Sequence, residues 1–199
     1  MTKRNQKTVV DTRWAKKEQT GRVVKDETHS YIATPISAKN QFQIDFIKAL
    51  KSSQIVVVDA PAGVGKSFVA MSEITDWLTK GWYNKVYLSR PAVGMGNTLG
   101  MLRGGLREKY EPFLLPLVDV ICERYGMGFY ESSLENGTIE YCPLEYIRGR
   151  NISAVAVVDE FQNVKPHEAY TLITRIAQGG KLVCIGDSTQ TDIVGQTGL

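Results

Sequence analysis

Eight consecutive residues, Ala60-Pro61-Ala62-Gly63-Val64-Gly65-Lys66-Ser67, combine glycines, a lysine and a hydroxyl at a spacing suited to holding a phosphate chain. Gly63 and Gly65 let the backbone N–H groups of the Ala62–Gly65 turn wrap an anion, and a helix opening at Ser67 would add its N-terminal donors and dipole. Lys66 brings a mobile positive charge to the β- and γ-phosphates, and the Ser67 hydroxyl can ligate Mg²⁺. This is the pattern of the Walker A loop, with Ala60 where its first glycine usually stands. Alanine can serve there if its φ is negative.

Mg²⁺ held on phosphates also wants a carboxylate in or near its coordination sphere. Ala154-Val155-Ala156-Val157-Val158-Asp159-Glu160 supplies one, a buried-type apolar run ending in two acids. Asp159 is the candidate for the metal, and Glu160 for polarising an attacking water. An adjacent acid pair favours hydrolysis over transfer to a small hydroxyl compound, a reaction for which no lid-like arginine cluster is evident. After a later apolar run comes Gly186-Asp187-Ser188-Thr189-Gln190. Asp187 and Gln190 are short polar groups suited to a strand end near a γ-phosphate, although five such residues also read as an ordinary turn. Upstream, Gln43, in preference to Gln41, offers an amide that both donates and accepts, as an adenine edge requires. A generic helix start reads the same way.

These groups can act together only if regular elements deliver them to one place. Residues 41–50 have the spacing of a short helix, and Ile55-Val56-Val57-Val58 that of a central parallel strand buried on both faces. Phe68, Met71, Ile74 and Leu78 predict a helix over 67–79, stopped by Gly81. Strands are expected at 86–88, 138–142, 154–158 and 182–185. A helical segment at 107–125 should be divided or kinked by Pro112 and Pro116, and a helix over 163–178 should start near Pro166 and stop at Gly179-Gly180. Alternating strands and helices imply an α/β fold, a parallel sheet with helices on both faces. Ligands on such sheets sit at the carboxyl ends of the strands, which is where all three motifs fall.

The chain of 199 residues, 43% apolar and 23% charged, fits one globular core. No apolar run is long enough to cross a bilayer and no secretory pattern opens the chain, so a cytosolic location is expected and no membrane partner. Cys122, Cys142 and Cys184 lack metal-ligand or disulfide spacing and read as reduced thiols. Nine Lys/Arg against four acids fall in residues 1–40, and with a total of +3 the rest of the chain is slightly acidic. Residues 1–38 therefore read as a basic, weakly ordered segment, either touching phosphates or simply solvated, ahead of a core over 39–199.

From about Ile36 to Leu199 the sequence resembles the PhoH-like family, including the short versions carried by phages. The resemblance rests on the phosphate loop together with Leu88-Ser89-Arg90-Pro91-Ala92-Val93, Pro143-Leu144-Glu145-Tyr146-Ile147-Arg148-Gly149-Arg150, Asp159-Glu160-Phe161-Gln162-Asn163 and Gly186-Asp187-Ser188-Thr189-Gln190-Thr191-Asp192, in that order. It implies a RecA-like P-loop ATPase core using ATP and Mg²⁺, related to superfamily 1 helicases, with action on RNA or single-stranded nucleic acid and ring assembly. Gly186–Gln190 resembles helicase motif III, in which the glutamine contacts the γ-phosphate and couples its loss to movement. Arg90, Arg148 and Arg150 would lie near the nucleotide or a nucleic-acid strand, with one of them able to act on a neighbouring subunit's γ-phosphate. Relatives continue past the position of Thr197-Gly198-Leu199 by about one helix–strand unit with its own arginine, so the core is expected to lack that unit. That expectation supports an alternative function: a nucleotide-gated binding protein that turns over little and acts through a partner. If phage-encoded, the protein would work in the host cytoplasm.

Overall fold

A computed structural model describes residues 33–91, 105–147 and 149–199. The weakly ordered segment expected over 1–38 thus lies largely outside the described residues, as do Ala92, Val93 and Arg148. Residues 33–39 run without regular structure into Asn40, whose side-chain oxygen accepts the Gln43 N–H at 2.9 Å and caps the first helix.

Eleven helices and strands follow among the described residues: α1 (Gln41–Ser52), β1 (Ile55–Asp59), α2 (Lys66–Thr79), β2 (Val86–Ser89), α3 (Leu106–Tyr125), α4 (Met127–Glu135), β3 (Ile139–Tyr141), α5 (Leu144–Ile147), β4 (Val155–Val158), α6 (Pro166–Thr174) and β5 (Lys181–Gly186). Short 3₁₀ turns at Phe161–Asn163 and Ser188–Gln190 follow β4 and β5. The five strands pair in parallel in the order β1-β5-β4-β2-β3. One face packs on α1 to α4 through Leu50, Met71, Ile74, Leu114 and Ile121. The other packs on α5, the 161–163 turn and α6 through Ile147, Phe161 and Leu172. This is the expected α/β P-loop fold, a parallel sheet with helices on both faces.

Three expectations change. Among the described residues β1 lies at an edge of the sheet, not at its centre: Val56 and Val58 are buried, but Val57 is 52% exposed. An apolar β-branched run does not reveal whether its second face is covered, and here Val57 on that face is left exposed. α3 is not divided: it runs without a break from Leu106 to Tyr125 through Pro112 and Pro116. Each interior proline costs about 3 kcal/mol, but Tyr110, Leu114, Leu117, Val118, Ile121 and Tyr125 are all buried, and full burial of such a side chain contributes roughly 1.5–3 kcal/mol. The apolar stripe wins. The helix expected over 163–178 contracts to α6, because Ile176 leaves it to bridge Ile152 in parallel. α4 carried no sequence signal, since it buries only Tyr130 and Ser133.

The register sets the site. Asp59 pairs with Gly186, Cys184 with Val158 and Val158 with Ser89. Four parallel strands therefore end side by side, and the residues just beyond them form one crest.

Candidate nucleotide site

On leaving β1, Ala60 still donates its N–H to the Gly186 carbonyl at 3.2 Å, and the chain then turns through Gly63 (φ 81°) and Gly65 (φ 90°) into α2. Positive φ at both positions is what L side chains resist. At Gly65 a Cβ would also stand 2.8 Å from the Gln43 amide nitrogen. Among the described residues only Glu160 combines a side chain with positive φ, so Ala60 meets the condition set for it. The Lys66 ammonium folds back onto its own loop, donating to the Pro61 carbonyl at 2.9 Å and to the Ala60 carbonyl. Gln43 braces the loop from α1: its amide donates to the Val64 carbonyl at 3.0 Å and accepts from the Lys39 N–H at 2.8 Å. Both ends of that amide are committed to backbone.

Beyond β4, Asp159 is buried and donates its N–H to the Ser89 carbonyl at 2.9 Å. Burial, reinforced by the neighbouring Glu160, pushes its carboxyl up to about 6. Glu160 sits in the left-handed region (φ 53°, ψ 42°), a conformation that costs a glutamate on the order of 1–2 kcal/mol. Its carboxylate has a partner on each side. Oε1 lies 3.4 Å from Nη2 of Arg90, and Oε2 accepts from the Gln162 amide.

Beyond β5, Asp187 gathers donors. It accepts from the Ala62 N–H at 3.1 Å, from the Thr189 N–H and hydroxyl at 3.0 and 2.6 Å, and from the Gln190 amide at 2.6 Å. The Thr189 hydroxyl, against the opposing effect of burial, holds its carboxyl below the ordinary range. Asp59 supports the same turn by accepting the Ser188 N–H at 2.8 Å.

Gln162, which stands in the Asp159–Asn163 string without an assigned role, joins these pieces. Its Oε1 accepts the Asp187 N–H at 3.0 Å while its Nε2 serves Glu160. A continuous path therefore runs from Ala62 through Asp187 and Gln162 to Glu160 and Arg90. Tyr110 also supports the site, with no local motif around it. Its hydroxyl accepts the Arg90 N–H and donates to the Arg90 carbonyl, both at 2.6 Å.

A cleft of about 380 Å³ opens over this crest, within the range of small-molecule sites. Its floor includes Gly63, Lys66, Ser67, Asp159, Glu160 and Gln190, and Phe68, Pro116 and Val120 form an apolar wall. The donor set fits a Mg²⁺–nucleoside triphosphate. Two left-handed glycines and a helix N-terminus suit phosphates, and one buried carboxylate beside a serine hydroxyl suits a cation that phosphate oxygens also hold. Of the arginine candidates, Arg90 reaches the cleft through Glu160. Arg150 is engaged elsewhere, 2.6 Å from Glu140 and over the Tyr87 ring. Partial burial raises the Glu140 carboxyl, but Lys85 and Arg150 bring it below the ordinary range.

The PhoH-like protein family profile matches residues 35–198. The chain belongs to the PhoH-like family. It is 37% identical over 159 residues to a PhoH-like protein of Bacillus subtilis, covering 79% of this chain and 50% of the relative. It is 32% identical over 163 residues to the protein PhoH of Escherichia coli K12, covering 80% and 46%. The chain thus spans about half the length of the curated relatives it matches. Among solved structures, the UvsW helicase from bacteriophage T4 superposes with a TM-score of 0.51 at 9% identity, covering 82% of this chain and 58% of that one. That likeness concerns the fold alone, the parallel α/β sheet of P-loop proteins. No helix among the described residues is long and apolar enough to cross a membrane.

Proposed function

We propose that this PhoH-family chain binds ATP with Mg²⁺ and hydrolyses the γ-phosphate bond, with turnover coupled to RNA or single-stranded nucleic acid. The observation that carries the reading is the meeting of Lys66, Ser67, Asp159 and Glu160 in one cleft, from separate strands, with Gln190 beside them.

Each residue has a role that its chemistry suits. The turn at Gly63–Gly65 presents N–H groups to the phosphates, and Lys66 exchanges two carbonyl partners in its own loop for phosphate oxygens. Ser67 and Asp159 would hold Mg²⁺, which when bound offsets charge on the β- and γ-oxygens. Glu160 accepts a hydrogen bond from the attacking water and orients it in line. Asp187 keeps Gln190 at the crest, where its amide can follow the γ-phosphate. The coupling to nucleic acid draws its support from the family and from the arginine at the edge of the cleft.

Phosphate release by purified protein tests this. The expected result is Mg²⁺-dependent hydrolysis that single-stranded RNA accelerates, with Lys66→Ala losing nucleotide affinity and turnover together. If RNA leaves turnover unchanged over a broad range of salt, the coupling is wrong. A mass measurement in ATP, run alongside, tests the ring assembly implied by the family.

A further inference from the structure

Arg90 stands at the end of β2 with its backbone and side chain held very differently. Its N–H and carbonyl are both bonded to the buried Tyr110 hydroxyl, so the main chain is fixed. Its guanidinium bridges two bodies, donating from Nη1 to the Phe113 carbonyl of α3 at 3.0 Å and facing Glu160 from Nη2 at 3.4 Å. Both side chains of that ion pair are about one-third exposed, at 28% and 34%. At this distance and exposure the pair is weak and solvent-screened. A phosphodiester offers the same planar fork a closer, charge-assisted match.

The partner it would leave is the group proposed to orient water. A carboxylate with a guanidinium on one oxygen and the Gln162 amide on the other is a poorer hydrogen-bond acceptor for a water than one freed of the cation. Gln162 remains in place through Asp187 when Arg90 departs, so Glu160 would be released without being lost from position.

Resting on the ATPase reading above, we propose that Arg90 is a latch on Glu160: a backbone phosphate of a single-stranded nucleic acid takes the guanidinium and frees Glu160 to orient water. Binding and turnover are then two ends of one exchange. The nucleic acid and the carboxylate compete for one cation, and whatever weakens one hold strengthens the other.

The experiment measures anisotropy of a short fluorescent oligouridylate, and of a matching oligodeoxythymidylate, on the full chain without nucleotide. It is paired with ATP turnover. Glu160→Gln removes the competing charge and should tighten oligonucleotide binding although it cannot hydrolyse ATP. Arg90→Gln should lower the slope of log affinity against log salt by about one, raise basal turnover and abolish its stimulation. Nucleotide affinity should stay within about twofold, which also shows that the variant is folded. Unchanged oligonucleotide affinity in Glu160→Gln overturns the latch, as does binding of neither strand by the unaltered protein. A tenfold or greater loss of nucleotide affinity in Arg90→Gln would make Arg90 a nucleotide ligand instead and overturn it too. A protein that hydrolyses no ATP refutes the ATPase reading, yet the Glu160→Gln binding arm still decides the latch.

Discussion

The two ends of the same parallel sheet treat charge in opposite ways. At the amino end, Lys181 opens β5 buried, its ammonium donating to the Leu50 carbonyl at 2.7 Å and to that of Ser53, which closes the end of α1. Beside it Gly180 is pressed so close to Ile152 that a Cβ would lie 2.0 Å from the Ile152 carbonyl oxygen. These groups have one arrangement available. At the carboxyl crest, Lys66 rests on carbonyls of its own loop, Glu160 is held in a disfavoured conformation and Asp159 carries a carboxyl that burial makes hard to ionise. Charges at the amino end complete the fold, whereas those at the crest keep partners that a ligand can replace.

Substitutions at the two ends should separate activity from stability. The largest effect expected is at Glu160: changing it to Gln should lower turnover by about 10²–10⁴-fold and leave thermal stability nearly unchanged, read by phosphate release and melting. Gly180→Ala should do the reverse, costing on the order of 3 kcal/mol in a denaturant titration through the forced shift of backbone at Ile152. Its surviving folded fraction should bind nucleotide normally.

Asp159→Asn is next, and its sign is informative. The folded-state pKa of about 6 lies above the ordinary 3.8, so the stability linked to this group is full below the ordinary value and is lost as pH rises through 6. Without metal, Asp159→Asn should therefore be more stable than the unaltered chain above that pH, by on the order of 3 kcal/mol. The difference should vanish toward the ordinary carboxylate pKa. Melting curves across this range check it, and Mg²⁺–nucleotide should narrow the gap by stabilising only the unaltered chain. The smallest effect is expected from Gln162→Ala, which should slow turnover by roughly tenfold through looser placement of Glu160 while nucleotide affinity holds.

Much of the crest was legible in the sequence, because each feature there has a local signature. Gly63 and Gly65 announce a turn only glycine makes well, and Asp159-Glu160 stands where an apolar run stops. The edge position of β1 was not legible, since Ile55–Val58 reads the same whether or not a neighbour covers Val57. Gln162 was hidden for another reason. Its partner Asp187 lies 25 residues away, and only the pairing of β4 with β5 brings the two together. Arg150 shows the converse. Its motif suggested a phosphate ligand, but Glu140, ten residues earlier, takes its guanidinium on the edge strand β3.

The Lys66–Ser67 loop and the Asp159–Glu160 pair are proposed to form one hydrolytic site. Steady-state phosphate release at saturating ATP, with and without Mg²⁺, compares the unaltered chain with Glu160→Gln. Multiple Mg²⁺-dependent turnovers are expected in the first, and loss of turnover with retained nucleotide binding in the second. Nucleotide binding with no turnover in the unaltered chain, or equal turnover in the two, would contradict it.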